Sequence, residues 1–266
     1  MQHPDPLKRL VAAPWLAALR AGADQPPRRP RVPLWAAQAR IGSVEPDFLA
    51  GIPSIALLAE QVEQGGQAGW RVNGEPTATL HRLALAMREA GLATAWRDEQ
   101  LAVTDEYGRS VATIERGVAR PLGITTFAVH LAGVSPDGRH WVQQRSLTKP
   151  NDPGLWDTLV GGMIPASDSM EQALERETWE EAGLRLPQLE QLRWSGRMLT
   201  RRPSGESRAG YVVEYVDWYR CVVPDGVLPV NQDGEVLQFA LMRPEDLASL
   251  MLSGKFTAEA AFILNS

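Results

Sequence analysis

Glu177, Glu180 and Glu181 stand within one helical turn of one another, at i, i+3 and i+4. On a helix that spacing puts all three carboxylates on one face. They repel one another there unless a cation joins them. Hard divalent ions such as Mg²⁺ or Mn²⁺ take oxygen ligands and keep waters for a phosphate substrate. The pair Gly161-Gly162 precedes the helix, where backbone turns sharply or approaches a neighbour closely. The combination reads as a cation–diphosphate site and demands a helix beside a glycine-bearing strand or loop. A Glu-x-x-Glu-Glu standing alone is more often a solvated acidic face.

The wider spacing decides between these readings. Gly162 is followed by Asp168, Arg176, Glu177, Thr178, Glu180, Glu181, Gly183 and Leu184. This pattern resembles the Nudix box, with two departures. Asp168 stands where the box has its first Glu, and Thr178 stands at an aliphatic position. Asp168 either braces the site with a shortened reach or caps the helix with Glu171. Ser169 with Gln172 is a competing cap, a capping box. The methyl of Thr178 still packs.

The resemblance implies an α/β/α sandwich with a mixed sheet. It implies metal held by Glu177, Glu180 and Glu181, helped by a backbone carbonyl of Gly161 or Gly162. It also implies that Arg176 braces a glutamate through a charge-assisted bond, although Arg176 is expected on a different side of the helix from the carboxylates. The family's general base is a box glutamate or an acidic residue of a later loop. Glu235, in Asn231-Gln-Asp-Gly-Glu235, has that loop position; it reads equally as a turn residue beside Asp233-Gly234.

Substrate contacts are sought around the box. Arg145 ends a strand and Lys149 follows in the loop, so each is placed for phosphate or is an ordinary surface charge. Trp156, next to the glycines, is the tryptophan placed to stack on a planar ring, against the commoner core role. The strings Glu115–His130, Trp141–Arg145, Trp156–Met163 and Asn231–Glu235 resemble a two-domain Nudix subgroup. That likeness implies thiamine diphosphate or its oxidised forms as substrate. The rival within the hydrolases is a nucleoside diphosphate derivative. An isopentenyl diphosphate isomerase shares the fold and would need Cys221, the single cysteine, as acid or base. A ligand sensor that has lost catalysis is the non-enzymatic rival.

Composition narrows the classes further. The 266 residues fit an accessory α+β domain over 1–120 and the catalytic domain over 121–266. A net charge of −5 gives no electrostatic case for nucleic acid. One cysteine excludes an internal disulfide, and His3, His81, His130 and His140 lack metal-ligand spacing. No apolar run approaches membrane-spanning length. Asp5 and Pro14 argue against a signal peptide, so a cytoplasmic location is expected. The final helix runs to Ser266 without a stop signal, which reads as a truncation.

Along the chain, 7–20 reads as a helix demoted by Pro14, and 25–33 as a stiff proline-rich connector. A strand is expected over 34–44, a helix over 79–90 stopped by Gly91, and a hairpin over 101–114. Strands follow over 125–133, 140–145, 193–200, 211–223 and 239–242, then helices over 243–252 and from 257. The N-terminal unit shows no nucleophile, carboxylate cluster or phosphate loop. Its expected roles are to shape the pocket, with Arg116 and Arg120 near the junction, or to form a homodimer interface.

Overall fold

The computed structural model describes residues 11–93 and 96–266. His3, Asp5 and the start of the helix expected over 7–20 fall outside them. The first described helix is Ala13–Ala23, with Pro14 in its opening turn. Proline there loses an N–H that has no helical partner anyway, so it starts the helix rather than demoting its middle.

The expected strand over 34–44 is a hairpin. β1 (Val32–Ala36) and β2 (Ala39–Val44) pair antiparallel, and Ala37 between them takes φ +50°. β3 (Ala59–Gln64) and β4 (Gln67–Val72) complete a four-stranded sheet in the order β2-β1-β4-β3. Helix Pro76–Glu89 begins three residues before the expected start at Thr79. The Glu75 side chain accepts from the Thr77 and Ala78 amides, and Pro76 fits the first turn. It buries Leu80, Leu83, Ala84 and Met87. β5 (Gln100–Thr104) and β6 (Ser110–Glu115) form the expected hairpin. All of these share one core, which extends to Leu122 and Ile124.

The remaining strands are β7 (Thr125–Val134), β8 (His140–Arg145), β9 (Trp156–Asp157), β10 (Val160–Met163), β11 (Glu190–Pro203), β12 (Tyr211–Val222) and β13 (Val236–Met242). They build a seven-stranded mixed sheet, β11-β12-β7-β8-β13, with β10 on β7 and β9 on β8. The β12–β7 pair is parallel. Helix Met170–Ala182 covers one face through Ala173, Leu174 and Ala182, against Val129 and Leu131. Helices Pro244–Leu252 and Ala258–Leu264 cover the other, against Ala128, Val142 and Trp218. The sheet therefore lies between helical layers.

The two cores interleave at the expected 120/121 division. Val11, Trp15, Leu16 and Leu19 pack on the C-terminal core, although they precede the first sheet. Met163, next to Gly162, packs instead on the N-terminal core. Arg31 ties the units together by donating to the carbonyls of Ser43, Pro121 and Ala209.

Candidate active site

Helix Met170–Ala182 presents the carboxylates, and its ends show why it stops and starts where it does. Ser169 is the N-cap: its hydroxyl accepts from the Gln172 amide at 3.2 Å, and the Gln172 side chain accepts from the Ser169 amide at 2.7 Å. Gly183 ends the helix at φ +62°, a left-handed conformation that suits glycine. With the cap taken by Ser169, Asp168 is left to accept from Arg176 Nε at 2.9 Å. Thr178 is fully buried, and its hydroxyl donates to the Leu174 carbonyl at 2.6 Å.

The glycines lie inside β10, not in a turn, and neither has a positive φ. Their requirement is close approach. A Cβ on Gly162 would lie 2.1 Å from Glu177 Cδ, and one on Gly161 would lie 2.5 Å from His130 Cε1. The strand thus runs directly against the carboxylate face.

Glu181 is 1% exposed. Its Oε2 accepts from the Gly161 amide at 2.9 Å and from Gln143 Nε2 at 2.8 Å; its Oε1 is 3.3 Å from Lys149 Nζ. Burial pushes its carboxyl up, against the pull of Lys149 and these donors. Glu177 is pushed up to about 8, first by burial and then by the Glu181 charge. Glu180 is more exposed and faces solvent at the rim.

Arg176 does not sit apart from the carboxylates as expected. Its Nη1 donates to Glu177 at 3.0 Å and to Glu180 at 2.8 Å, the latter one turn on at i+4. Burial disfavours its charge, but Asp168, Glu177 and Glu180 outweigh this and hold its pKa above the ordinary value.

Lys149 also bridges to Glu235. Its burial would lower its pKa, but Glu181 and Glu235 raise it further than burial lowers it. For Glu235, burial alone would raise the pKa; Lys149, then Arg116 and Arg145, hold it below the ordinary carboxylate value. The Glu235 loop is a built turn. Asn231 Oδ1 accepts from the Asp233 and Gly234 amides, and the Gln232 amide donates to the Glu180 carbonyl at 3.1 Å.

A cavity of about 320 Å³ joins these groups. Glu177, Glu180, Gly161, Gly162, Lys149 and Glu235 line it, together with Arg97, Arg116 and Arg120 of the N-terminal unit. Arg145 lines it too, yet its guanidinium works as a strut. It donates to Asp157 at 3.0 Å and to the Asn151 carbonyl from two nitrogens. Trp156 is not among the described residues lining the cavity. It packs on the C-terminal core, and its backbone bonds to Lys255 and Thr257.

No motif in the sequence assigns a site role to Gln143, Asp157 or His130. Gln143 holds Glu181, and Asp157 holds Arg145. His130 lines the cavity, with Nδ1 2.8 Å from Thr158 Oγ1. Their signal was present only as polar residues at inward positions of strands, which no local pattern separates from packing.

Among the described residues, no three acidic, histidine or cysteine side chains converge on one point. Arg176 and Lys149 stand between the carboxylates and supply the positive charge. The donor set still fits a hard divalent ion: it is all oxygen, and burial, then the neighbouring Glu181 charge, disfavours the Glu177 carboxylate unless a cation joins it.

The NUDIX domain profile matches residues 126–262. The chain belongs to the NUDIX family. Nudix hydrolase 20, chloroplastic, of Arabidopsis thaliana is 29% identical over 227 residues, 79% of this chain and 54% of that one. The chain thus spans about half the length of that curated relative. An isopentenyl-diphosphate Delta-isomerase of Kocuria rhizophila is 27% identical over 165 residues, 59% of this chain and 85% of that one. The solved structure of DR0079 from Deinococcus radiodurans is 20% identical, with a TM-score of 0.49, and covers 63% of this chain and 100% of that one.

Proposed function

We propose that this NUDIX protein is a pyrophosphohydrolase that uses Mg²⁺ or Mn²⁺ to cleave a small-molecule diphosphate. The observation that carries this is the buried Glu181 carboxylate pinned to the Gly161 amide, with Glu177 crowded beside it. Glu177, Glu180 and Glu181 would hold the ion, with a carbonyl of Gly161 or Gly162. A bound divalent ion neutralises diphosphate charge and acidifies water.

The protein's own groups do the rest. Gly161 and Gln143 fix Glu181 in one orientation through Oε2, so a cation would share Oε1 with Lys149 or displace it. Asp168 holds Arg176, which orients Glu177 and Glu180. Lys149 reaches the carboxylate face from the loop and is placed to meet a substrate phosphate. Glu235 is our candidate for the general base. Its lowered pKa keeps it ionised at neutral pH, at the expense of basicity.

For the substrate we favour thiamine diphosphate or a damaged analogue, on the resemblance of the strings flanking the box. Nucleoside diphosphate derivatives are the second class. Nucleic acid and membrane are not proposed as partners: the net charge is −5, and no described helix is long and apolar enough to cross a membrane. The isomerase reading is disfavoured by Cys221. It is 2% exposed, lies in the core beside Gly133, and burial pushes its thiol up to about 12.

A panel of diphosphates assayed for product with Mg²⁺ or Mn²⁺ tests both levels. Turnover of thiamine compounds above nucleotide ones is expected. Preference for a nucleotide sugar over every thiamine compound refutes the substrate choice. Binding without turnover in any divalent ion favours a sensor. Glu181→Gln should lower kcat by orders of magnitude in a folded protein, and normal turnover in that variant would overturn the hydrolase reading.

A further inference from the structure

We propose that Arg116 of the N-terminal unit is a substrate-binding residue that holds the substrate phosphate farther from the carboxylate helix. The inference rests on the hydrolase reading and extends it to a residue outside the NUDIX match, which begins at 126.

Three observations point the same way. Arg116 lines the same cavity as Glu177, Glu180 and the two glycines, although it opens the short helix Arg116–Ala119 that follows β6 of the N-terminal unit. Glu235, on the loop of the catalytic unit, lines that cavity as well, so the two residues bound one space from separate units. The backbone that carries it is also anchored from below. The fully buried Glu115 accepts from the Arg97 amide at 2.8 Å and the Gly117 amide at 3.2 Å. The Arg116 amide itself donates to the Glu99 carbonyl at 2.9 Å. The guanidinium thus projects from a fixed base, which limits the entropy lost when it binds an anion.

The Arg116 side chain is already partnered, and that supplies the test. Its Nη1 donates to Glu99 Oε2 at 2.8 Å, in a pair that is 37% and 28% exposed. A guanidinium has five donors in a fork that matches phosphate oxygens, so one carboxylate leaves capacity for a second anion. A water-accessible pair of this kind exchanges readily, and a multiply charged phosphate competes for it. Arg120 has a different task. Its Nη1 pairs with Glu206 at 2.7 Å, and Glu206 also accepts from Asn151, so Arg120 joins the unit to the loop that follows Lys149.

The experiment titrates full-length protein with methylenediphosphonate, a non-hydrolysable diphosphate, at saturating Mg²⁺. Binding by the wild type is the baseline set by the hydrolase reading, and its absence overturns that reading together with this one. Arg116→Gln is expected to weaken the diphosphonate about tenfold or more, with Mg²⁺ affinity and melting temperature little changed. Arg116→Lys should recover part of the loss. Glu99→Gln should shift affinity the other way, because it removes the competing carboxylate; a purely structural role for the pair predicts no tightening. In turnover, Arg116→Gln should raise KM more than it lowers kcat. Unchanged diphosphonate affinity in Arg116→Gln, or weakened binding in Glu99→Gln, overturns the assignment while leaving the hydrolase reading intact.

Discussion

Adjacent glycines in β10 should respond to one added methyl in opposite ways. In Gly162→Ala the new Cβ would sit 2.1 Å from Glu177 Cδ and 2.2 and 2.5 Å from its oxygens. Ordinary contact begins at 3.4 Å, so the carboxylate must retreat by 3.4 − 2.1 = 1.3 Å. It is the far end of a flexible side chain, and leaving its place relieves both its burial and its repulsion from Glu181. The fold should therefore lose less than about 1 kcal/mol. Displacing a reacting group by about 1 Å costs on the order of 100-fold in rate, so kcat should fall by about that factor, with weaker Mg²⁺ dependence.

Gly161→Ala meets a different neighbour. Its Cβ would lie 2.5 Å from His130 Cε1, on a ring that is 8% exposed and bonded to Thr158. That ring is held by Thr158 and retreats less readily than a carboxylate end, so stability should fall by about 1–3 kcal/mol, the usual cost of overpacking. The assay is a thermal melt and an Mg²⁺ titration of initial rate on both variants. Wild-type kcat and Mg²⁺ dependence in Gly162→Ala would refute the reasoning, as would identical melting losses in the two proteins.

Asp168→Ala should lower kcat several-fold by freeing Arg176, while Asp168→Glu should keep or raise turnover; equal kinetics in both would make Asp168 a bystander, read from kcat with a melt as control. Burial, then the Glu181 charge, pushes the Glu177 carboxyl up to about 8 from an ordinary 4.5, so protonation stabilises the cation-free fold. That stability is full below about 4.5 and is lost as pH rises to about 8. Melting temperature in EDTA should therefore fall across this window, with added Mg²⁺ restoring most at the alkaline end; a flat profile would count against the crowded pair. Cys221→Ala should keep full turnover in a steady-state assay and lose some stability through its cavity; loss of activity without unfolding would revive the isomerase reading.

How legible each feature is in the sequence depends on the range of the interactions that set it. The carboxylate helix, its Gly183 stop and the strands at 125–134, 140–145 and 211–222 were legible because local periodicity and turn chemistry set them. The hairpin at Ala37 was not, since it depends on an alanine held at positive φ by strand pairing. β3 and β4 also gave no clear pattern: β3 is largely exposed, and its alternation marks no continuous apolar face.

At the site, residue identity and spacing by themselves determined that Glu177, Glu180 and Glu181 share a face and that glycine must lie close by. Which neighbour each glycine serves was decided only by β10 crossing the helix. The same holds for Arg176, whose guanidinium reaches back over the carboxylates because Asp168 and Glu180 lie on either side of it. Tertiary structure also made a strut of Arg145, a core residue of Trp156 and a cavity wall of Arg116. Sequence order encodes contacts a turn or two away. Burial, charge pairing and the meeting of separate sheets depend on segments tens of residues apart, and no local pattern records them.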